Sequence, residues 1–509
     1  MKIPLTVADY FRRAAQVHGP RTAVVDEPMD DGLGEITWSR FDAMARGQAA
    51  RLDELGFAPG DRVAMVSQNT SRLLVSLHGV CSWGRVFVPI NFRLNAEEIR
   101  YIVEHSGARM LLFDKSLRSE VEGLEVEHKI ELGLATDAQV FGGEGEPTPW
   151  AGDEDATATI NYTSGTTAQP KGVQLTHRNL WLNAAIFGLH TGVSERDAYL
   201  HTMPMFHCNG WGMPFVLAGM GAKQVVLRAV DGAEILRRIE AHGITLMCGA
   251  PAVLARVLDV AKAWDGPVPG AGKLRFVTAG APPPTRTIER VETELGWELM
   301  QIYGLTETAP LLTINRVRPE DDALTPQQRA ARLGRAGTPA IGVELKISDE
   351  GEVLARSNHV LEGYWERPEA SAEALRDGWF HTGDGGRLDE EHYLTITDRK
   401  KDVIITGGEN VSSVEVEDVL FSHPAVAEAA VIGVPDEKWG EMVKALVVLA
   451  PDAEATEADL IHHCRQNLAH YKCPKSIEFR AVLARTATGK LQKYKLREPY
   501  WEGMDKLVN

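Results

Sequence analysis

The sequence predicts an α/β fold: a large N-terminal domain of α/β subdomains with parallel sheets, followed by a small α+β C-terminal domain. Three observations support this prediction. The chain has 509 residues, which is too many for one compact core. Strand-length apolar runs alternate with helical patterns through residues 1–398, as in parallel sheets joined by helices. Residues 399–509 then show a different, compact pattern of ordinary domain size.

The N-terminal elements follow from apolar periodicity and helix-start signals. Residues 9–17 are predicted to be helical because apolar side chains recur on one face. Thr176 is the predicted N-cap of a helix over 177–188, and Pro251 begins another helix. The other predicted helices of this part are 40–55 and 72–84, and its predicted strands are 23–25, 36–38, 62–67, 86–90, 110–113, 158–162, 244–247, 274–278 and 298–302.

The small domain is predicted to begin at the charged segment 398–402. For that segment alone, a plain surface turn is the alternative. Ser412 or Ser413 caps the first helix of this domain, and a second helix covers 457–468. The predicted strands of the domain are 403–406, 429–434, 443–449 and 477–483.

The composition disfavours several kinds of partner. With 54 basic and 71 acidic residues the formal charge is −17, which opposes nonspecific binding to nucleic acid or to an anionic membrane. No apolar run is long enough to span a bilayer, and the first residues lack the apolar core of a signal peptide. The five cysteines are scattered without CxxC spacing, which predicts reduced thiols and no structural zinc. We therefore expect a cytoplasmic protein.

The stretch 162–172 has the composition of a polyphosphate-binding turn after a predicted strand. Its glycines allow close backbone approach, its hydroxyls and N–H groups donate to phosphate oxygens, and Lys171 adds a positive charge. Its spacing differs from that of a Walker loop. Taken alone, the stretch has an ordinary polar surface loop as its alternative.

Five motifs in a fixed order resemble those of the adenylate-forming superfamily, which includes acyl-CoA synthetases, peptide-synthetase adenylation domains and beetle luciferases. They lie at 162–172, 303–308, 382–384, 398–410 and 485–490. Each motif is weak alone, but together they extend over most of the chain. The resemblance implies a ligase that uses ATP and Mg²⁺ to convert a carboxylic acid into an acyl-adenylate and then transfers the acyl group to CoA. It also implies that the small domain is mobile and rotates between these two steps.

The resemblance implies an ATP site formed by several motifs. Glu307 offers a hard oxygen ligand to Mg²⁺, and Thr306 offers a hydroxyl to a phosphate. The ring of Tyr303 stacks on adenine, and the carboxylate of Asp384 accepts hydrogen bonds from the ribose. The alternatives are a core tyrosine, a solvated glutamate and a structural turn. The full predicted set of ATP- and AMP-binding residues is Thr163, Ser164, Gly165, Thr166, Thr167, Lys171, Gly280, Ala281, Pro282, Tyr303, Gly304, Asp384 and Arg399.

Lys490 matches the catalytic lysine of the family. A lysine at this point stabilises the negative charge that builds up when a carboxylate approaches the α-phosphate, and it orients the attacking oxygen. Lys401 matches the family's hinge residue, and Gly408 matches the glycine that lines the CoA channel. A tight turn is the alternative for Gly408. The predicted catalytic residues are Lys490, Thr306, Glu307 and His207.

The segment 203–212 resembles the part of the family that lines the acyl site. Phe206 and Trp211 are predicted to form its walls, and His207 to close the pocket or orient the acid. The alternative is that these aromatic side chains belong to the core. Ile302 stands where many relatives have glycine, so a branched side chain is predicted to alter the acyl pocket.

Three questions stay open from the sequence. The acceptor could be a carrier protein supplied by another chain instead of CoA, although no carrier domain follows Lys490. A non-catalytic nucleotide-binding protein on the same fold is a second alternative, which the presence of Lys490, Glu307 and Lys171 opposes. The acid itself is unspecified, and a homodimer is an alternative to a monomer because dimers are common in the family.

Overall fold

The computed structural model describes residues 1–27, 31–163, 170–399, 402–406, 409–436, 439–485 and 491–501, without the side chains of residues 398 and 399. Within this part of the chain, three sheets precede residue 400 and one follows it. The predicted α/β class is confirmed. The two largest sheets are mixed, because antiparallel strands flank their parallel centres.

A nine-stranded sheet has the strand order β15-β14-β13-β12-β11-β9-β10-β1-β2. Its pairs from β1 through β10, β9, β11 and β12 to β13 are parallel. Its strands are β1 Thr22–Asp26, β2 Gly34–Thr37, β9 Ala198–His201, β10 Lys223–Val226, β11 Leu246–Gly249, β12 Arg275–Thr278, β13 Glu298–Gly304, β14 Leu311–Asn315 and β15 Thr338–Pro339.

A seven-stranded sheet has the order β18-β8-β7-β4-β3-β5-β6. The strands β7 and β8 form an antiparallel pair on either side of residues 164–169. Lys171 and Gly172, which were predicted to lie in a turn, belong to β8, because their backbones pair with Thr163 and Tyr162. The strands are β3 Arg62–Val66, β4 Val86–Ile90, β5 Met110–Asp114, β6 His128–Leu132, β7 Thr157–Thr163, β8 Lys171–Thr176 and β18 Gly363–Tyr364.

A four-stranded antiparallel sheet leads to the C-terminal region, which has its own sheet of five strands. The strands of the first are β16 Val343–Ile347, β17 Glu352–Ser357, β19 Phe380–Leu388 and β20 Leu394–Arg399. The strands of the second are β21 Ile404–Thr406, β22 Glu409–Val411, β23 Val426–Asp436, β24 Gly440–Leu449 and β25 Ser476–Phe479. The predicted strand 477–483 is therefore shorter at its C-terminal end, since Arg480 already lies beyond β25.

The helices cover the sheets, and several begin where their capping residues predict. The Thr176 hydroxyl accepts a hydrogen bond from the Asn179 N–H, and the Ser412 hydroxyl accepts one from the Glu415 N–H, so both predicted caps are confirmed. Trp38, predicted to end a strand, instead begins a helix that Thr37 caps.

The helices are α1 Ala8–His18, α2 Trp38–Glu54, α3 Ser71–Cys81, α4 Ala96–Ser106, α5 Arg118–Val121, α6 Asp137–Phe141, α7 His177–Thr191, α8 Cys208–Trp211, α9 Met213–Met220, α10 Gly232–His242, α11 Pro251–Ala261, α12 Thr285–Arg290, α13 Pro326–Leu333, α14 Pro368–Ala374, α15 Ser413–Ser422, α16 Glu457–Asn467 and α17 Lys493–Trp501. Short helical turns lie at Lys115–Leu117, Val291–Leu295, Thr306–Thr308, Pro319–Asp321, Arg376–Gly378 and His470–Lys472.

The two large sheets share one apolar core. Val24 of the nine-stranded sheet and Val63 of the seven-stranded sheet belong to the same buried cluster, together with most of the buried helix α3. Burial of this apolar surface is the main force that holds the sheets side by side. Among the described residues, no helix has both the length and the apolar composition needed to cross a membrane.

Candidate active site

Glu307, Tyr364 and Lys171 form a continuous set of contacts beside the end of β13. The Tyr364 hydroxyl donates a hydrogen bond of 3.0 Å to Oε1 of Glu307. The Lys171 ammonium lies 4.9 Å from the centre of the Tyr364 ring, within the range of a cation–π contact. The structure therefore brings together the lysine at the end of the predicted phosphate loop and the predicted Mg²⁺ ligand.

Tyr303 and Asp384 form a second pair at the same site. The Tyr303 hydroxyl donates to Oδ2 of Asp384 at 2.9 Å. Asp384 is only 7% exposed, and its backbone N–H donates to the hydroxyl of Thr382. Along the sheet, Asp384 on β19 is directly opposite Arg399 on β20. Asp384 and Arg399, which both belong to the predicted ATP-binding set, are therefore neighbours in the backbone register.

Gly304 and Gly280 occupy different environments. A side chain at Gly304 would place its Cβ 1.5 Å from the carbonyl oxygen of Pro310, so only glycine fits there. Gly280 has a φ of +90° and no neighbouring atom within 4 Å of a Cβ position. It begins the exposed to half-exposed loop with Ala281 and Pro282 that follows β12. Ligands of α/β folds usually bind at such strand ends.

The segment around His207 lies beside the turn that carries Thr306. His207 is half-buried, and the next residues turn sharply, because Cys208 and Asn209 have φ angles of 40° and 44°. The Cys208 thiol contacts the carbonyl oxygen of Thr306 at 3.8 Å. Burial, with a contribution from the negative charge of Glu307, raises the pKa of Cys208 and keeps it a neutral thiol.

The predicted acyl-pocket residues are largely buried. Trp211 and Ile302 are each 3% exposed and belong to the same apolar cluster. Phe206 is 8% exposed and packs edge-on against Phe92, with 5.7 Å between ring centres. All three side chains thus lie in packed, apolar surroundings.

Comparison with known proteins assigns the chain to a protein family. The family model described as AMP-binding enzyme matches residues 11–365, and the model for the C-terminal domain of the same enzymes matches residues 415–490. The chain belongs to the AMP-binding enzyme family. The predicted membership of the adenylate-forming superfamily is thereby confirmed.

Individual AMP-binding enzymes resemble the chain over nearly its whole length. A 4-hydroxybutyrate–CoA ligase of Metallosphaera sedula is 36% identical, over 97% of this chain and 94% of the relative. A peroxisomal acetate/butyrate–CoA ligase of Arabidopsis thaliana is 34% identical over the same shares. The o-succinylbenzoate CoA synthetase of Bacillus subtilis, solved with its acyl-adenylate, is 30% identical with a TM-score of 0.82, over 96% of this chain and 97% of that one. The same synthetase has also been solved with ATP and a magnesium ion.

These comparisons confirm the predicted reaction class of this AMP-binding enzyme. It is an AMP-forming ligase that joins a carboxylic acid to CoA through an acyl-adenylate, with ATP, Mg²⁺ and CoA as its co-substrates and cofactor. The individual roles of the site residues stay predictions.

The donor set of the AMP-binding enzyme fits a magnesium ion that arrives with ATP. In the described part of the chain, no group of three or more His, Cys, Asp or Glu side chains is arranged to hold a metal ion. Mg²⁺ commonly uses one or two protein carboxylates and completes its shell with water and substrate phosphates. A single carboxylate at Glu307, with the Lys171 cation on the other side of Tyr364, suits this mode of binding.

Several predicted site residues lie outside the described residues, so the structure does not test their positions. The residues outside are Ser164, Gly165, Thr166, Thr167, Lys401, Gly408 and Lys490. Of their neighbours in the predicted set, Thr163 is described as the last residue of β7, and Arg399 is described by its backbone only.

The structure adds two residues to the site that the sequence analysis did not identify. Tyr364 contacts Glu307, and Asn183 connects the acyl segment to β14: its Oδ1 accepts from the Leu311 N–H at 3.2 Å, and its Nδ2 donates to the Trp211 carbonyl at 3.4 Å. Neither residue lies in one of the five motifs. Both act across large separations in sequence, where no local pattern points to them.

Proposed function

We propose that this ligase activates a short-chain carboxylic acid, of the size of acetate to butyrate with hydroxylated or branched forms. The observation that carries the proposal is that Trp211 and Ile302 are both buried and lie on the two segments that meet where Cys208 contacts the Thr306 carbonyl. A pocket between Thr306 and these side chains would hold only a short acyl chain. Extra methylene groups in a close-packed interior force neighbouring side chains to move, which costs free energy.

The wall of this pocket is held in place. The carbonyl of Trp211 accepts a hydrogen bond from Asn183, which also accepts one from β14. At Gly212, a Cβ would lie 2.5 Å from Nδ2 of Asn183, so the turn packs directly on the Asn183 side chain. These contacts hold the backbone of the turn, and burial of the Trp211 side chain restrains the indole ring. This rigidity supports a fixed upper limit on acid length.

The substrates of the relatives also support a small acid. Two relatives, 36% and 34% identical, are named for 4-hydroxybutyrate and for acetate and butyrate. Relatives named for larger acids, benzoate at 33% identity and o-succinylbenzoate at 30%, are somewhat more distant. At position 302, the family resemblance implies glycine in many members. The larger side chain of Ile302 agrees with a shorter acyl pocket in this chain.

The proposal assigns the contacts with ATP to the Tyr303–Asp384 pair and to the residues on either end of the Tyr364 contacts, Lys171 and Glu307. Asp384 accepts hydrogen bonds from the ribose hydroxyls, and Tyr303 stacks on adenine beside the loop that begins at Gly280. Lys171 binds a phosphate oxygen, and Glu307 is the ligand of Mg²⁺, which neutralises phosphate charge when it is bound. The geometry that supports these roles is the 2.9 Å bond between Tyr303 and Asp384 and the Lys171–Tyr364–Glu307 contact.

In the first step, a carboxylate oxygen of the acid attacks the α-phosphorus of ATP. A new oxygen–phosphorus bond forms, and the bond between the α-phosphorus and the pyrophosphate oxygen breaks. Lys490 stabilises the charge that accumulates on these oxygens. Thr306 and His207 position the phosphate and the acid. The proximity of the acyl segment to Thr306, through the Cys208 contact, supports this arrangement.

In the second step, the CoA thiol attacks the acyl carbon, and AMP leaves with the electron pair of the broken carbon–oxygen bond. We propose that residues 399–509 rotate about Lys401 between the steps and that Gly408 then lines the CoA channel. Residues 415–490 match a separate family model and enclose an apolar cluster of their own, which supports an independently moving domain.

The proposal takes CoA as the acceptor instead of a carrier protein, because the named relatives are CoA ligases. It takes the cytoplasm as the compartment, although several relatives are named as peroxisomal. All five cysteines are free and buried, as expected for a reducing compartment.

The proposal also includes a homodimer. Light scattering, which measures the molar mass in solution, tests it.

The decisive experiment is AMP release from ATP and Mg²⁺ across a panel of acids, with and without CoA. The panel includes acetate, butyrate, isobutyrate, 4-hydroxybutyrate, hexanoate, octanoate and benzoate. We expect the highest kcat/KM at butyrate or below, with acyl-CoA detected by mass. A preference for octanoate or benzoate contradicts the size proposal, and AMP formation without CoA turnover contradicts CoA as the acceptor.

A matched pair of variants tests the pocket wall. Ile302→Ala is expected to raise the ratio of hexanoate to butyrate kcat/KM by about 10-fold, since an added methylene in an apolar pocket contributes about 1–3 kcal/mol. Ile288→Ala removes an equally buried isoleucine from a different apolar cluster. It controls for loss of stability, and the same change in ratio for both variants contradicts the assignment of Ile302.

A further inference from the structure

We infer that Tyr364 is a positioning residue that holds Glu307 in the orientation needed to bind Mg²⁺, an inference that rests on the proposed role of Glu307. Tyr364 lies outside the five sequence motifs. Its hydroxyl touches the predicted metal ligand itself, and its ring faces the lysine at the opposite end of the site.

The segment around Tyr364 holds Glu307 by both its backbone and its side chain. The Leu361 N–H donates to the carbonyl oxygen of Glu307 at 2.7 Å. Three residues later, the Tyr364 hydroxyl donates to Oε1 of the same residue at 3.0 Å. A glutamate side chain has three rotatable bonds and loses much rotamer freedom when it is ordered. Two attachments from one rigid segment reduce that loss at the moment of metal binding.

The same segment is also anchored to the phosphate-loop strand. Tyr364 pairs with Val173 across the β18–β8 ladder, and the Trp365 N–H donates to the Gly172 carbonyl at 2.7 Å. Tyr364 therefore keeps a constant distance from both Lys171, which begins β8, and Glu307, which follows β13. Because these strands belong to different sheets, Tyr364 connects the two halves of the site.

The Tyr364 side chain contacts Glu307 through its hydroxyl and Lys171 through its ring. A neutral phenol donates one hydrogen bond, and its only described acceptor is Oε1 of Glu307. The hydroxyl thus fixes the rotation of the carboxylate, while the ring face attracts the Lys171 ammonium.

Groups that hydrogen-bond to a metal-binding carboxylate orient it, and their removal typically lowers metal affinity by about 10–100-fold. Tyr364→Phe removes the hydroxyl but keeps the ring over Lys171. We expect this variant to need about 10-fold more free Mg²⁺ for half-maximal acid-dependent pyrophosphate exchange, with kcat restored at saturating Mg²⁺. Tyr364→Leu removes the ring as well and is expected to raise the KM for ATP in addition.

The second readout is binding of Mn²⁺ to the enzyme with a non-hydrolysable ATP analogue, followed by electron paramagnetic resonance. It reports on the metal site without catalysis. Tyr10→Phe is the matched control, because the Tyr10 hydroxyl also donates a hydrogen bond, at 2.7 Å, but to the Trp181 carbonyl, outside the Glu307–Tyr364–Lys171 set of contacts. We expect Tyr10→Phe to bind Mn²⁺ as the parent enzyme does, even where its thermal stability falls.

The two ideas can fail separately. If the parent enzyme shows no Mg²⁺-dependent exchange with any acid, the proposed function is wrong. If the parent enzyme is active but Tyr364→Phe and Tyr10→Phe have the same Mg²⁺ dependence and Mn²⁺ affinity, the positioning role of Tyr364 is overturned. A weakened Mn²⁺ site confined to folded Tyr364→Phe, checked by circular dichroism, supports it.

Discussion

The hydroxyl of Tyr303 donates a hydrogen bond of 2.9 Å to Oδ2 of Asp384, across a separation of 81 residues in the sequence. Tyr303 lies at the end of β13 in the nine-stranded sheet, and Asp384 lies on β19 of the four-stranded sheet. The bond therefore fixes the orientation of the Tyr303 ring relative to the Asp384 carboxylate, the two groups that we propose to stack on adenine and to bind the ribose. It joins two motifs that are separate in the sequence.

This pair predicts unequal effects of two substitutions on ATP binding. Asp384→Ala removes an ionised acceptor, so we expect the KM for ATP to rise by about 10–100-fold, as for hydrogen bonds to charged groups. Tyr303→Phe keeps the ring and loses one neutral donor, for which we expect about a 5-fold rise. Initial-rate kinetics of AMP release at saturating acid and CoA measure both values. Equal effects would contradict the division between ribose binding and stacking.

Lys490→Ala is predicted to separate the two half-reactions. We expect acid-dependent pyrophosphate exchange to fall by about 100–1000-fold, the usual effect of losing one group that stabilises transition-state charge. Thioester formation from a supplied acyl-adenylate should be retained. Lys495→Ala, at an exposed position on α17, is the control and should leave both rates unchanged. If the folded Lys490→Ala variant loses both steps, the proposed assignment is wrong.

Gly304 and Gly280 predict different outcomes of the same substitution. Gly304→Ala places a Cβ 1.5 Å from the Pro310 carbonyl oxygen, so we expect β13 and β14 to separate and the folded yield to collapse. Gly280→Ala meets open space at a φ of +90°, and we expect a folded protein destabilised by about 1–2 kcal/mol. Thermal denaturation compares the two. A stable Gly304→Ala variant is incompatible with the close approach of these backbones.

A contact between the N- and C-terminal regions predicts a change in the balance of the two steps. Oδ1 and Oδ2 of Asp418 on α15 accept hydrogen bonds from the N–H and hydroxyl of Thr285, at 2.9 and 3.0 Å. Under the proposed rotation of residues 399–509, this contact is made in one domain orientation and broken in the other. We therefore expect Asp418→Ala and Thr285→Val to shift the ratio of exchange to thioester formation in the same direction, by about 3-fold or more if each bond contributes about 1 kcal/mol.

The double variant should show no shift beyond that of Asp418→Ala, since Asp418→Ala removes both bonds, including the hydroxyl bond that Thr285→Val removes. Glu415→Gln on the same helix is the control, because Glu415 pairs with Lys472 within the C-terminal region. Additive shifts in the double variant, or an equal shift for Glu415→Gln, would show that the Thr285–Asp418 contact does not select a domain orientation.

Local signals predicted most element types correctly. The caps at Thr176 and Ser412 and the start at Pro251 lie where expected, because a cap depends on a few consecutive residues. One error arose where strand pairing decided the outcome. Lys171 lies in a strand because its backbone pairs with β7, although glycine, proline and hydroxyl side chains around it favour a turn.

The candidate site shows the same division between what local sequence signals predict and what contacts between distant residues decide. The sequence by itself determined the order of the five motifs, and with it the family, the nucleotide chemistry and the identity of Lys171, Glu307 and Asp384 as candidates. The tertiary structure decided which of these meet: Tyr364 between Glu307 and Lys171, and Tyr303 against Asp384. The physical reason is range. Periodicity and capping act within a few residues, whereas strand register and shared burial between sheets join residues that are far apart in the chain.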